Sequence, residues 1–257
     1  MLANNSRIIF GEGQIAQLPN HIPKDKTVLM CYGSDSIKEN NIYMQISTAL
    51  KDYNVMEFGG IESSPDYDTL MKAVAVVKAN EPENFFILAV GGGSICDGCK
   101  FIALASMYNG SDPYGDLLEK QEEEIRSAVP LGVVMTLPAT GSESNSNCVI
   151  ACHRTETKFS IDHPLLLPRF AILDPSLSIP LPYGEVANEV METFVHVCEQ
   201  YAKEWKHMDR CTESLLKVLT TNEQLEQTRT ATEDAREDIM WVTNHVLNHL
   251  TAQSVRS

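Results

Sequence analysis

An α/β fold built on a parallel sheet and followed by an all-helical segment is predicted by three features of this 257-residue chain. Over the first two-thirds, short apolar runs alternate with helical periodicity, the pattern of strands crossing over through helices. Three of the apolar runs end in polar, glycine-bearing turns. After Pro175 only helical periodicity remains.

The elements follow in order. Thr27–Tyr32 (TVLMCY) reads as a strand, with Gly33, Ser34, Asp35 and Ser36 as its turn. A helix is expected over 37–53, and a short strand over 55–58 ending at Gly59 and Gly60. Leu70, Met71, Val74 and Val77 give 67–79 a helical period. Residues 85–90 (FFILAV) read as a buried strand, followed by Gly91, Gly92 and Gly93. Ser94 then stands where a helix begins, with Asp97 as its capping partner three residues on. Such a helix start offers unbonded N–H groups and partial positive charge, which suit a phosphate or pyrophosphate. A tight strand-to-helix turn with no ligand accounts for the same residues equally well. Asp97 brings an anion to the place, which suits a ligand amide or hydroxyl better than phosphate. Leu131–Leu137 (LGVVMTL) is a further buried strand, with a polar turn from Thr136 to Glu143. In parallel sheets ligands bind at the carboxyl ends of the strands, where all three turns lie. The proline-rich stretch after Pro175 reads as a boundary, and helices are expected over 186–201, 208–219 and 238–250.

Composition narrows the function. Hydrophobic residues make up 43% and charged residues 21%, which is enough to bury a core. A net charge of -15 argues against nucleic acid or anionic membrane as partner. The opening MLANNSRIIF lacks the basic and apolar regions of a signal peptide, and no apolar run is long enough to span a bilayer. Seven cysteines, an odd number, are expected as reduced thiols in a cytoplasmic protein. Cys96 and Cys99 form a lone C-x2-C on the helix after Ser94 and are expected to pack there. Cys148 and Cys152 fall in a strand region and are expected to be structural. His153 and His163 are expected near loops facing solvent, and His21 and His207 show no partner. No G-x-S-x-G elbow supports a Ser-His-Asp hydrolase.

In order and spacing, the segments RIIFGEGQIAQLP, VLMCYGSDSIKENN, LAVGGGSICDGCKFIA, TLPATGSESN, AILDPSLSIPLP and VANEVMETFVHVCEQY resemble the iron-containing alcohol dehydrogenases, in particular the NADPH-dependent butanol dehydrogenase and aldehyde reductase branch. The resemblance implies a dinucleotide-binding α/β domain over 1–175 and a partial helical domain for metal and substrate over 176–257. It implies that Gly91, Gly92, Gly93, Ser94 and Asp97 meet the pyrophosphate and nicotinamide side of the cofactor. Thr136 and Thr140 match the threonine-rich cofactor turn, and Lys158 the lysine at the nicotinamide ribose. Gly33, Ser34 and Asp35 hold the place that selects the cofactor. Ser34 would admit the 2′-phosphate of NADPH, whereas Asp35 would repel it and favour NADH. The implied substrates are small aldehydes or primary alcohols, and the implied assembly is a homodimer.

The family also holds one divalent metal, iron or zinc. Glu192 and His196 match its first two ligands, four residues apart on one helix face, with glutamate in place of the family's aspartate. Without the resemblance the two would read as a surface helix pair. The family's two downstream histidines have no match, and His245 and His249 read as ordinary helix residues. The resemblance therefore implies a C-terminally truncated chain with an incomplete metal site. The expected function is NAD(P)H-dependent interconversion of aldehydes and primary alcohols. The alternative is a truncated cofactor-binding pseudoenzyme or dimer partner.

Overall fold

The computed structural model describes residues 6–34, 36–39, 41–120, 126–137, 140–182, 184, 186–188, 190–195, 235–241 and 243–244. Six strands form one sheet: β1 (Arg7–Phe10), β2 (Thr27–Tyr32), β3 (Asn54–Phe58), β4 (Phe85–Gly92), β5 (Leu131–Leu137) and β8 (Phe170–Leu173). Their order is β1-β8-β5-β4-β2-β3, and every neighbouring pair is parallel. A separate antiparallel hairpin joins β6 (Asn147–Cys152) to β7 (Thr157–Asp162).

The near-continuous apolar character of β2, β4 and β5 follows from burial on both faces. Alternate residues serve opposite layers. Leu29, Cys31, Ile87, Ala89, Val133 and Met135 face α3 (Tyr67–Lys78) and α4 (Gly93–Met107). Val28, Met30, Phe86, Leu88, Val90 and Val134 face the other way, toward α2 (Ile42–Ala49) and the 3-10 turn at Gln14–Asn20. The hairpin packs as a third piece on α4. Its inner residues Cys148, Ile150, Cys152 and Ile161 are buried in the α3/α4 layer.

Several local expectations are corrected. The helix expected over 37–53 is broken into α1 (Ser36–Glu39) and α2, because Asn41 adopts a left-handed conformation (φ 65°) that ends one helix and starts the next. Strands β1 and β8 lie in RIIF and FAIL, runs too short to show a period. Ser94 does not cap α4. The N-cap is Gly92, no side chain caps this helix, and the Ser94 hydroxyl donates instead to the Ser63 carbonyl at 2.6 Å.

Beyond β8 the described residues of 184–195 and 235–244 are helical, and none is a strand. Helix 235–244 lies against the α/β layers. Met240 joins the core, Trp241 meets the Phe10 ring edge-on at 5.3 Å, and Thr243 lies 3.3 Å from Thr193 on the preceding helical segment. His196, His207, His245 and His249 lie outside the described residues.

Candidate functional site

The turns after β2, β3 and β4 meet on one edge of the sheet. The Gly60 amide donates to the Gly33 carbonyl at 2.8 Å, and the Ile61 amide to Tyr32 at 3.3 Å. Ile95, in the first turn of α4, wedges beneath both glycine turns. A Cβ on Gly91 would lie 2.5 Å from Ile95 Cγ1, and one on Gly33 would lie 3.2 Å from Ile95 Cδ1. A Cβ on Gly93 would lie 2.2 Å from Thr140 Oγ1. Gly91 and Gly93 are thus required by close packing, from below and from β5's side, while Gly33 is merely tight. Gly92 between them has room, with its nearest neighbours at 3.6 Å or more. What results is a bare backbone cradle at the start of a 15-residue helix that no side chain caps. Its first-turn amides and helix dipole make it suited to an anionic group.

Asp97 is on the same helix turn, partly buried. Its Oδ1 accepts from the Ser142 hydroxyl at 2.5 Å and its Oδ2 from the Val149 amide at 2.9 Å. Its carboxyl is held above the ordinary carboxylate range: burial pushes it up, opposed by Lys100, Ser142 and the Val149 amide, with Glu192 pushing it further up. Glu192, exposed on its helix, is therefore within electrostatic reach of Asp97.

Lys100, one turn on, is fully buried. Its ammonium donates to Ser142 Oγ at 2.9 Å, Asn145 Oδ1 at 2.9 Å and the Asn147 carbonyl at 2.6 Å. Three donors meet three acceptors, so the charge is tolerated without solvent. Sequence reasoning passed over Lys100. The available signal was a lysine in the otherwise apolar run CKFIALA.

Gly33, Gly91, Gly92, Gly93, Ser94, Asp97 and Thr140 are brought together in this way. Thr136 lies at the end of β5, half-buried and two residues short of the undescribed 138–139. Ser34 is exposed just beyond Gly33, and Asp35 is outside the described residues. Lys158 is exposed on β7 opposite Ala151, on the hairpin's outward face with Val149 and Ser160. Asp97 lies at the edge of β6, through the Val149 amide.

Among the described residues all five cysteines, Cys31, Cys96, Cys99, Cys148 and Cys152, are buried. Burial pushes the Cys96 thiol up to about 12. His153 faces solvent as expected, and its Nδ1 also lies 2.9 Å from Asp66 Oδ1. Among the described residues no group of three or more His, Cys, Asp or Glu could hold a metal ion.

A family model described as iron-containing alcohol dehydrogenase matches residues 5–175, more than half of the chain. This chain belongs to that family. Among its relatives, the NADPH-dependent aldehyde reductase YqhD of Escherichia coli is 43% identical over 254 residues, 97% of this chain and 65% of YqhD. A crystal structure of YqhD superposes with a TM-score of 0.88, covering 97% of this chain and 64% of that one. A probable NADH-dependent butanol dehydrogenase of Bacillus subtilis is 34% identical over 98% of this chain and 66% of its own. The chain thus spans about two-thirds of the length of the relatives it matches. No helix among the described residues is long and apolar enough to cross a membrane.

Proposed function

We propose that this chain binds a nicotinamide dinucleotide on the carboxyl edge of its sheet and serves the interconversion of small aldehydes and primary alcohols. The observation that carries this reading is the uncapped start of α4, with Gly91 and Gly93 packed too tightly for any side chain. Membership of the iron-containing alcohol dehydrogenase family supports the same reading. The pyrophosphate would lie on the amides of Gly92, Gly93 and Ser94. The nicotinamide side would lie toward Asp97 and Lys158, with Thr136 and Thr140 flanking the cofactor and Gly33, Ser34 and Asp35 at the adenine ribose.

The nicotinamide supplies or takes the hydride when bound. This chain's residues hold the cofactor and keep its site rigid: Lys100 and Ser142 fix Asp97, and Ile95 and Thr140 set the height of the glycine turn. NADPH fits Ser34, which carries no charge to oppose a 2′-phosphate.

Glu192 and His196 are the proposed ligands of the family metal. Glu192 lies among the described residues, exposed on its helix, and His196 lies outside them.

Titration of nicotinamide fluorescence with NADPH and NADH, together with butanal reduction assayed with added Fe²⁺ or Zn²⁺, tests the reading. Saturable binding with metal-stimulated reduction is expected. Binding without turnover would favour the pseudoenzyme alternative, and absence of binding by either cofactor would reject both.

A further inference from the structure

The loop from Thr140 to Ser146 carries Thr140, packed against Gly93, and Ser142, bonded to Asp97, yet no strand ladder holds it. Inside it the backbone makes one short bond, from the Ser144 amide to Gly141 at 3.0 Å, with Gly141 in a left-handed turn (φ 64°). Asp97 accepts from Ser142, the hairpin holds Ser146 through the His163 amide and Asp162, and two buried side chains from elsewhere hold the stretch between. Lys100 holds Ser142 and Asn145 from α4. Asn244, from the far end of the chain, donates its amide to Glu143 Oε1 at 2.6 Å and to Ser144 Oγ at 2.7 Å. Glu143 is fully buried, and its other oxygen, Oε2, has no hydrogen-bond partner among the described residues. Its carboxylate is an expensive group to bury, and the Asn244 bond offsets part of that cost. The helix bearing Asn244 also touches Thr193, next to Glu192, through Thr243.

On the reading that this edge binds a dinucleotide, we propose that Asn244 is a positioning residue for the cofactor: it latches Glu143 and Ser144 to helix 235–244 and so holds Thr140 and Ser142 against the glycine turn. The latch makes cofactor affinity depend on the docking of a helix that itself contributes nothing to the glycine cradle. Truncating the amide removes the side-chain donor from buried Glu143 and from Ser144, which loosens the loop.

The test measures NADP⁺ and NAD⁺ binding by calorimetry on the full chain, with hydrogen exchange of residues 140–147 in the nucleotide-free protein. For Asn244→Leu, about tenfold weaker binding of both nucleotides and faster exchange in that loop are expected. Asn244→Asp gives a sharper readout. Two facing carboxyls share one proton in acid and repel when both are ionised. Lys100 is the charged group that Glu143 also feels, from α4. Asn244→Asp should therefore match the wild type measured beside it near pH 5 and bind about tenfold more weakly than the wild type near pH 8. Its recovery in acid also serves as the folding control should Asn244→Leu not fold. Wild-type affinity in Asn244→Asp at both pH values, with only a lower melting temperature, would overturn the proposal and make Asn244 a packing residue. Failure of the wild type to bind either nucleotide would instead overturn the proposed function, and the positioning role with it.

Discussion

At the residue scale the three adjacent glycines are not equivalent, and substitution separates their roles. Gly91→Ala drives a methyl into Ile95 Cγ1 at 2.5 Å, and Gly93→Ala into Thr140 at 2.2 Å. Each should lower stability by about 1–3 kcal/mol through overpacking, and cofactor affinity with it. Gly92→Ala meets nothing closer than 3.6 Å. Its melting temperature should stay near the wild type while dinucleotide binding weakens, because the new methyl stands on the cradle rather than beneath it. Thermal melts and titrations on the three variants distinguish these outcomes. Asp97 has a pH signature. Its pKa in the fold lies above the ordinary 3.8, chiefly through burial. The folded state then holds that proton more tightly than the unfolded chain, so Asp97's contribution is greatest below 3.8 and is lost as pH rises through the raised value. Urea melts of Asp97→Asn against pH should lack that loss, and parallel curves would contradict it. At the cofactor turn, Asp35→Gly should strengthen NADPH binding more than NADH binding by removing a charge near the 2′-phosphate. Equal effects would exclude Asp35 from that role. The glycine turn was legible in sequence because glycine triplets are rare and have few uses. Lys100, Glu143 and Asn244 were not legible, because their meaning lies in partners as many as 101 positions away.

At the scale of elements, α3 shows how one side chain joins two pieces of the fold. Asp66 caps α3 by accepting from the Asp68 amide at 3.1 Å, and it also accepts from the His153 amide at 2.8 Å beside the hairpin. Burial pushes the Asp66 carboxyl up, but the two amides and the His153 imidazole outweigh it and hold the group below its ordinary value. The stabilisation it gives is therefore present above the ordinary carboxylate range and is lost as pH falls through the depressed value. Asp66→Ala should cost about 2 kcal/mol at neutral pH, the upper end for a helix cap, and less in acid. A loss that does not shrink in acid would show that the cap and the hairpin tie do not depend on the charge. Helix α3 was readable because its apolar residues hold a helical period over 12 residues. The break at Asn41 was not, because asparagine is tolerated inside helices and in left-handed turns alike. The Ser94 cap failed for a related reason: the hydroxyl had a better acceptor at Ser63, across a turn the local pattern does not include.

For the whole molecule, parallel strand order gathers the glycine turns onto one edge, and the hairpin and helix 235–244 close around that edge. The parallel sheet was legible from alternation alone, since β2, β4 and β5 are apolar throughout. Its outer strands β1 and β8 were not, because four-residue runs carry too little pattern. The dinucleotide site proposed on the carboxyl edge of this sheet is tested most directly by a crystal structure of the chain grown with NADP⁺. The pyrophosphate oxygens are expected within about 3 Å of the amides of Gly92, Gly93 and Ser94, with the nicotinamide toward Asp97. A well-ordered nucleotide bound elsewhere, or a bare glycine turn at saturating NADP⁺, would contradict it.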